Sequence, residues 1–102
     1  MMVVRSDAFW KSQIGMAIPR EKQAPIRNAM IIFSAYFCND AIEDIPFENR
    51  KAMFDWIFEE YEDFKSVEKE IRVVARLENV RPDHLAYFED AMEMVRLIKE
   101  GE

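Results

Sequence analysis

The sequence predicts an all-α protein, a compact bundle of four to five short antiparallel helices. Half of its 102 residues are hydrophobic and 33% are charged, whereas only two are glycine and four are proline. This composition is rich in helix formers and poor in turn formers. The stretches between the predicted helices are short, which favours antiparallel neighbours. Because a chain of this length can fill one hydrophobic core but not two, we expect a single domain over residues 1–102.

Prolines and capping residues give the boundaries of the predicted helices, because proline is tolerated in a first turn and stops a preceding helix. Ser6 and Ser66 are candidate N-caps, and the prolines at 19, 25, 46 and 82 lie near helix starts. The resulting helices span about 6–15, 25–39, 46–64, 66–79 and 82–99.

The second predicted helix should lie at the centre of the bundle, because its middle, AMIIFSAYFC, is apolar on nearly every side. This run is too short to span a bilayer. Its last residue, Cys38, is the only cysteine, and we expect a small buried hydrophobe there. A lone cysteine favours a reducing compartment, and the N-terminus lacks the apolar core of a secretory signal, so we expect a cytoplasmic protein.

The third predicted helix contains DWIFEEYEDF, which mixes large apolar and acidic side chains. At about 100° per residue the two kinds separate onto two faces. The apolar face is predicted to point into the core and comprises Phe47, Phe54, Ile57, Phe58, Tyr61 and Phe64, with Met53 at its edge. The other side comprises Glu48, Asp55, Glu59, Glu62 and Asp63, with Glu60 further round, and is expected to be exposed to solvent. Asp55, Glu59, Glu62 and Asp63 are called the acidic face below.

Trp56 belongs to neither face. A large aromatic side chain outside the apolar arc has two explanations: another helix of the same chain covers it, or it is an anchor for a partner, as tryptophan often is in interface hot spots.

The fourth predicted helix has an apolar stripe of Val67, Ile71, Val74 and Leu77 and a basic stripe of Lys65, Lys69, Arg72 and Arg76. The basic stripe is expected to face the acidic third helix, within one chain or across a dimer, or to face solvent. A role in gripping phosphates is disfavoured, because 14 basic against 20 acidic residues give a net charge of −6. The charge balance therefore disfavours nucleic acid and anionic membranes as partners.

The last predicted helix has an apolar band wider than one core requires. Phe88, Met92 and Val95 belong to one seam with Leu85, and Ala91, Met94 and Ile98 lie beside it. Either the second helix fills both seams, or the surplus surface binds a second copy of the chain.

The sequence contains no catalytic, metal or cofactor motif, so we expect no enzyme and no cofactor. The single histidine, His84, follows Pro82 and is expected at the surface or half-buried. One histidine without a cysteine cluster cannot form a zinc site by itself. Cys38 and His84 could form a nucleophile pair only if the fold brings them together, and a buried thiol would be inert.

Residues 7–65 resemble a helical domain of phage and prophage proteins, often found near replication genes. The resemblance rests on AFWKSQIGMAIPREKQ, on the helix from Ala29 to Tyr36, on Ile45-Pro46-Phe47 and on AMFDWI. The loop CNDAIED is longer and less glycine-rich than the pattern. The family has no established activity, so the resemblance implies a mobile-element origin and no site residues.

Two functions remain as hypotheses. The first is a small helical protein that acts by protein–protein contact, as a homodimer or with another protein, through Trp56 and the outer edge of the last helix. Its candidate interaction residues on the last helix are Phe88, Met92 and Val95. The second is an inhibitor whose acidic face imitates nucleic acid and blocks a nucleic-acid-processing enzyme.

Overall fold

Five α-helices joined by turns, without a β-strand, form the part of the chain that the computed structural model describes, residues 18–101. The prediction of an all-α fold is confirmed. The predicted helix over residues 6–15 lies outside the described part. The helices are α1 (Arg20–Ile32), α2 (Phe47–Glu59), α3 (Tyr61–Ser66), α4 (Glu68–Leu77) and α5 (Pro82–Glu100); a π-helical turn (Phe33–Phe37) extends α1, and a 3-10 turn (Ile42–Asp44) precedes α2.

Helices that are distant in the sequence make the main contacts of the bundle. α1 packs against α4, α2 packs against α5, and the short α3 contacts both α1 and α5. The radius of gyration, 13.3 Å, is that of a compact domain of this length.

The core is centred on Phe88, in the middle of α5. Its ring lies 5.4 Å from that of Phe33 and 5.8 Å from that of Phe64, measured between centroids. Phe88, Met92 and Val95 are only 1%, 3% and 0% exposed. These three residues were predicted to contact a partner, but they form the inner seam of α5 and offer no surface in this fold.

The third predicted helix is divided into α2 and α3 by a break at Glu60, whose backbone leaves the helical region at φ −110° and ψ 28°. A second break at Val67 separates α3 from α4. Ser66 does not cap α4, because its hydroxyl donates to the carbonyl of Asp63 instead, at 2.7 Å. The breaks let buried residues of all three short helices, among them Ile57 and Ile71, face one core.

Phe47 and Leu77 were predicted to lie in the core, but they are 68% and 45% exposed. Both are at helix ends, where the chain turns away from the core: Phe47 opens α2 and Leu77 closes α4. The ring of Phe47 is partly covered by the guanidinium of Arg50, at 5.9 Å from the ring centroid.

The end of α4 is fixed by Asn79, which adopts a positive φ of 62°. The amide of Val80 donates to the carbonyl of Ala75, and that of Asn79 to Arg76. These bonds form a Schellman motif with asparagine in the left-handed position, which ends the helix and directs the chain towards α5.

Candidate interaction surfaces

The outer side of α5 carries an exposed apolar strip. Met94, Leu97 and Ile98 are each 55% exposed, and their spacing places them on one side of the helix, away from the buried Phe88 seam. We call these three residues the α5 strip. Large apolar side chains grouped in this way are typical of surfaces that bind another protein.

Ion pairs hold α5 in a fixed orientation on the bundle. Arg72 of α4 contacts Glu89 at 2.8 Å, and Lys65 of α3 contacts Glu100 at 2.6 Å. The ammonium of Lys99 lies 4.4 Å from the centroid of the Phe58 ring on α2. The α5 strip is therefore presented by a helix that is tied to its neighbours on two sides.

The same contacts show which residues two members of the predicted basic stripe, Lys65 and Arg72, face. Lys65 and Arg72 pair with α5, and Arg72 also approaches Glu68 of its own helix at 3.7 Å. Within residues 18–101, neither of them pairs with the acidic face of α2 and α3.

Tyr61 joins the contact between α3 and α5. Burial and a hydrogen bond with Glu100 raise the pKa of its hydroxyl. The Lys65 ammonium, together with that hydroxyl, holds the pKa of the Glu100 carboxyl below its usual value. A charged carboxylate at the end of α5 is thus anchored to the bundle.

Trp56 is half-buried and lies beside Tyr36 of the π-helical turn. The two ring centroids are 6.1 Å apart and the ring planes meet at 75°, an edge-to-face arrangement. Asn49 of α2 donates its side-chain amide to the carbonyl of Tyr36 at 2.9 Å, which holds the π-helical turn against α2. Its own chain therefore covers one side of Trp56, as the first explanation requires, and the role of Trp56 as an anchor for a partner stays a prediction.

A shallow, largely open groove of about 410 Å³ lies beside this aromatic pair. We call it the aromatic groove. Its lining consists of Tyr36, Ala52, Asp55, Trp56, Glu59 and Glu60.

All four residues of the acidic face are exposed: Asp55, Glu59, Glu62 and Asp63. The structure divides them into two pairs, because Asp55 and Glu59 lie on α2 and line the aromatic groove, whereas Glu62 and Asp63 lie on α3.

A second, smaller cleft lies between the end of the π-helical turn, the end of α4 and the start of α5. Cys38 and His84 both line it, together with Met30, Phe33, Ser34, Asn39, Glu78, Asn79, Val80 and Arg81. Cys38 was predicted to be buried, but it is exposed. His84 was predicted to lie at the surface or to be half-buried, but it is only 1% exposed. Cys38 projects from the turn that follows the π-helical segment, and His84 packs edge-on against Phe37 with centroids 4.9 Å apart.

His84 has a structural contact that explains its burial. Its Nε2 donates to the carbonyl of Asp40 at 2.6 Å, since a carbonyl can only accept. Arg81 donates to the carbonyl of Asn39 at 3.1 Å, and the amide of Ile42 donates to Asp83 at 3.2 Å. The first turn of α5 thus binds the loop that joins the π-helical turn to α2.

Asp83 is the most strongly perturbed acid of this contact. The hydrogen bond from Arg81, with that from the Ile42 amide, lowers the pKa of Asp83 to about 2. The carboxylate is therefore charged at neutral pH and binds two donors from different segments.

The surplus apolar surface of α5 was predicted, but the seam predicted to contact a partner is the buried one, and the exposed residues are those of the α5 strip. Helical periodicity defines the relative positions of side chains on a helix, and the neighbouring helices decide which side is covered. The aromatic groove was missed because Tyr36 and Trp56 lie on different elements. Asn49, which holds Tyr36 in place, gives no signal in the sequence.

Among residues 18–101, no group of three or more His, Cys, Asp and Glu side chains could hold a metal ion. No helix in that part of the chain has the length and apolar character needed to cross a membrane. Comparison of the chain with family models, with curated proteins and with solved structures finds no match.

Proposed function

We propose that this protein acts by binding other protein chains, without catalysis, and that it forms a homodimer through the α5 strip. The observation that carries the proposal is the exposure of Met94, Leu97 and Ile98, 55% each, on one side of a well-anchored helix. Complete burial of a fully exposed large apolar side chain contributes about 1.5–3 kcal/mol, so a residue that is 55% exposed can contribute about half of that against a partner. In a two-fold symmetric dimer, the α5 strips of both copies would be buried in one contact.

The test is sedimentation equilibrium of the wild type and of the double variant Met94→Glu, Leu97→Glu over a wide concentration range. The monomer mass is 12.2 kDa, and we expect the wild type to sediment as a dimer. Two carboxylates in the contact would be desolvated beside their own copies, so we expect the variant to be a folded monomer. A wild type that stays monomeric at high concentration would refute self-association.

Val73→Glu, Leu77→Glu is the matched control. Val73 and Leu77 are exposed apolar residues of α4, at 51% and 45%, so this variant has the same change in charge and a similar loss of apolar surface. We expect it to remain a dimer. Dissociation by both double variants would show that the α5 strip is not the specific contact.

The acidic face favours a second function, the imitation of nucleic acid towards a basic enzyme surface. Its support is the exposure of all four carboxylates, of which only Asp55 pairs with a base within residues 18–101, namely Lys51 at 2.7 Å. Affinity for such an enzyme should fall steeply with salt and after reversal of Asp55, Glu59 and Glu62 to lysine. Indifference to both changes would exclude this function.

The proposal places the protein in the cytoplasm and, through the resemblance of residues 7–65, in a phage or prophage. Its support for the compartment is the single cysteine, Cys38, which cannot form a disulfide within one chain. Because Cys38 is exposed, a reducing environment would also keep two copies from being linked through it.

A further inference from the structure

The aromatic groove combines aromatic rings with acidic side chains. It presents the rings of Tyr36 and Trp56, and it is lined by the carboxylates of Asp55, Glu59 and Glu60. None of the described residues that line it is basic.

The aromatic pair has ring surface left for a ligand. In an edge-to-face pair, the ring that contributes its edge keeps both of its faces free of its partner. The faces of tryptophan and tyrosine attract a cation that lies within about 6 Å of the ring centroid. The 75° angle between Tyr36 and Trp56 keeps the faces of one ring free of the other, and both side chains, although they pack against the core, are only partly buried.

Elsewhere on the molecule, the chain supplies such cations itself. Lys99 lies 4.4 Å from the centroid of Phe58, and Arg50 lies 5.9 Å from that of Phe47. Within residues 18–101 no cation lies over Tyr36 or Trp56. The groove thus has the aromatic rings that a cation–π interaction requires, but no cation from the described residues lies against them.

The charges around the rings are incompletely compensated. Asp55 pairs with Lys51 in an exposed contact, and Glu60 accepts a long hydrogen bond of 3.4 Å from Asn28. Glu59 makes no ion pair within residues 18–101. A positive charge in the groove would be attracted by the carboxylate of Glu59 and by that of Asp55, one helical turn away.

We propose that the aromatic groove is a docking site for a basic segment of a partner protein, with an arginine side chain against Tyr36 and Trp56 and its charge balanced by Glu59 and Asp55. Arginine fits better than lysine, because a planar guanidinium stacks on a ring and binds a carboxylate through two donors at once. The inference shares with the proposed function the premise of protein–protein contact, but it does not require the homodimer.

The experiment measures fluorescence anisotropy of a dye-labelled tetra-arginine peptide titrated with the full chain. A tetra-citrulline peptide, which keeps the shape but not the charge, is the probe control. We expect saturable binding of the arginine peptide, weakening as salt is added, and none of the citrulline peptide. Absence of saturable binding of tetra-arginine at low salt would overturn the proposal.

Matched variants separate the groove from general acidity. Glu59→Gln and Glu62→Gln each remove one exposed carboxylate, but only Glu59 lines the groove. We expect Glu59→Gln to weaken binding roughly two- to fivefold, the effect of one exposed ion pair, and Glu62→Gln to change it less than twofold. Equal losses in the two variants would assign the binding to net charge and overturn the proposal.

Two further measurements test the rings and the occupant. Trp56→Leu should weaken peptide binding while the circular dichroism spectrum is retained, and unchanged affinity would contradict the aromatic contact. Trp10 is the only other tryptophan, so in Trp10→Phe the tryptophan emission comes from Trp56 alone. The dilution is made in the Met94→Glu, Leu97→Glu background, in which the α5 contact is absent. If the emission of Trp56 changes on dilution of this protein alone, a second copy fills the groove and the proposal fails.

Discussion

Replacing Cys38 with glycine should stabilise the protein. Cys38 has a φ of 52° and a ψ of −127°, and the amide of Asp40 donates to the carbonyl of Phe37 at 3.1 Å across it. These angles are those of the first central residue of a type II′ turn, a position that favours glycine because a Cβ atom is strained there.

The expected gain follows from two opposing terms. A non-glycine residue in a sparsely populated backbone region costs about 1–3 kcal/mol. Glycine returns about 0.5–1 kcal/mol of this through the entropy of the unfolded chain. Little packing is lost because Cys38 is exposed, so we expect the free energy of unfolding to rise by about 0.5–2 kcal/mol.

Urea unfolding followed by circular dichroism measures this change in reducing buffer. Cys38→Ala is the control, since alanine lacks the thiol but keeps the Cβ atom; it should lie within about 0.5 kcal/mol of the wild type. If Cys38→Gly is no more stable than Cys38→Ala, the strain inferred from the backbone angles does not exist.

Three further predictions concern the contacts of α5. His84→Phe keeps the ring against Phe37 but removes the donor to the Asp40 carbonyl, so unfolding free energy should fall by about 1–2 kcal/mol; an unchanged midpoint in urea would contradict the structural role of that bond. The pKa of Asp83 is lowered from 3.8 to about 2 in the folded protein, so its contribution to the free energy of unfolding is complete above about pH 4 and is lost as the pH falls towards 2. The difference in unfolding free energy between wild type and Asp83→Asn should therefore shrink over that range. A constant difference would refute the assignment. In the Leu97→Glu background, where the dimer contact is removed, Met92→Ala should lower the free energy of unfolding by about 2–5 kcal/mol, whereas Met94→Ala should lower it by less than about 0.5 kcal/mol; similar losses would contradict the assignment of the inner and outer sides of α5.

The helix positions could be predicted wherever proline and apolar periodicity agree. The last helix was predicted over 82–99 and spans Pro82–Glu100. The break at Val67 lies close to the boundary predicted between residues 64 and 66, whereas the break at Glu60 was not predicted, because neither glycine nor proline marks it and it depends on how short segments share one core. Local signals define a helix, and tertiary packing decides where it bends.

The candidate surfaces were predictable only in part, for a related reason. Exposure of the acidic face followed from helical geometry, since one side of an amphipathic helix must meet solvent. Burial of His84 and exposure of Cys38 depend on the loop between α1 and α2, where His84 binds the Asp40 carbonyl and Cys38 occupies a turn position that disfavours its side chain. No periodicity describes such a loop.

The most direct test of the self-association uses the ε-methyl group of Met94 as a reporter. With carbon-13 methionine methyl groups, NMR relaxation by a soluble paramagnetic agent measures how far each methyl is covered, with the buried Met92 as an internal reference. At the same concentration, we predict a protected Met94 methyl in the wild type and an accessible one in Leu97→Glu. Equal and rapid relaxation of Met94 in both proteins would show that nothing covers the α5 strip and would contradict the homodimer.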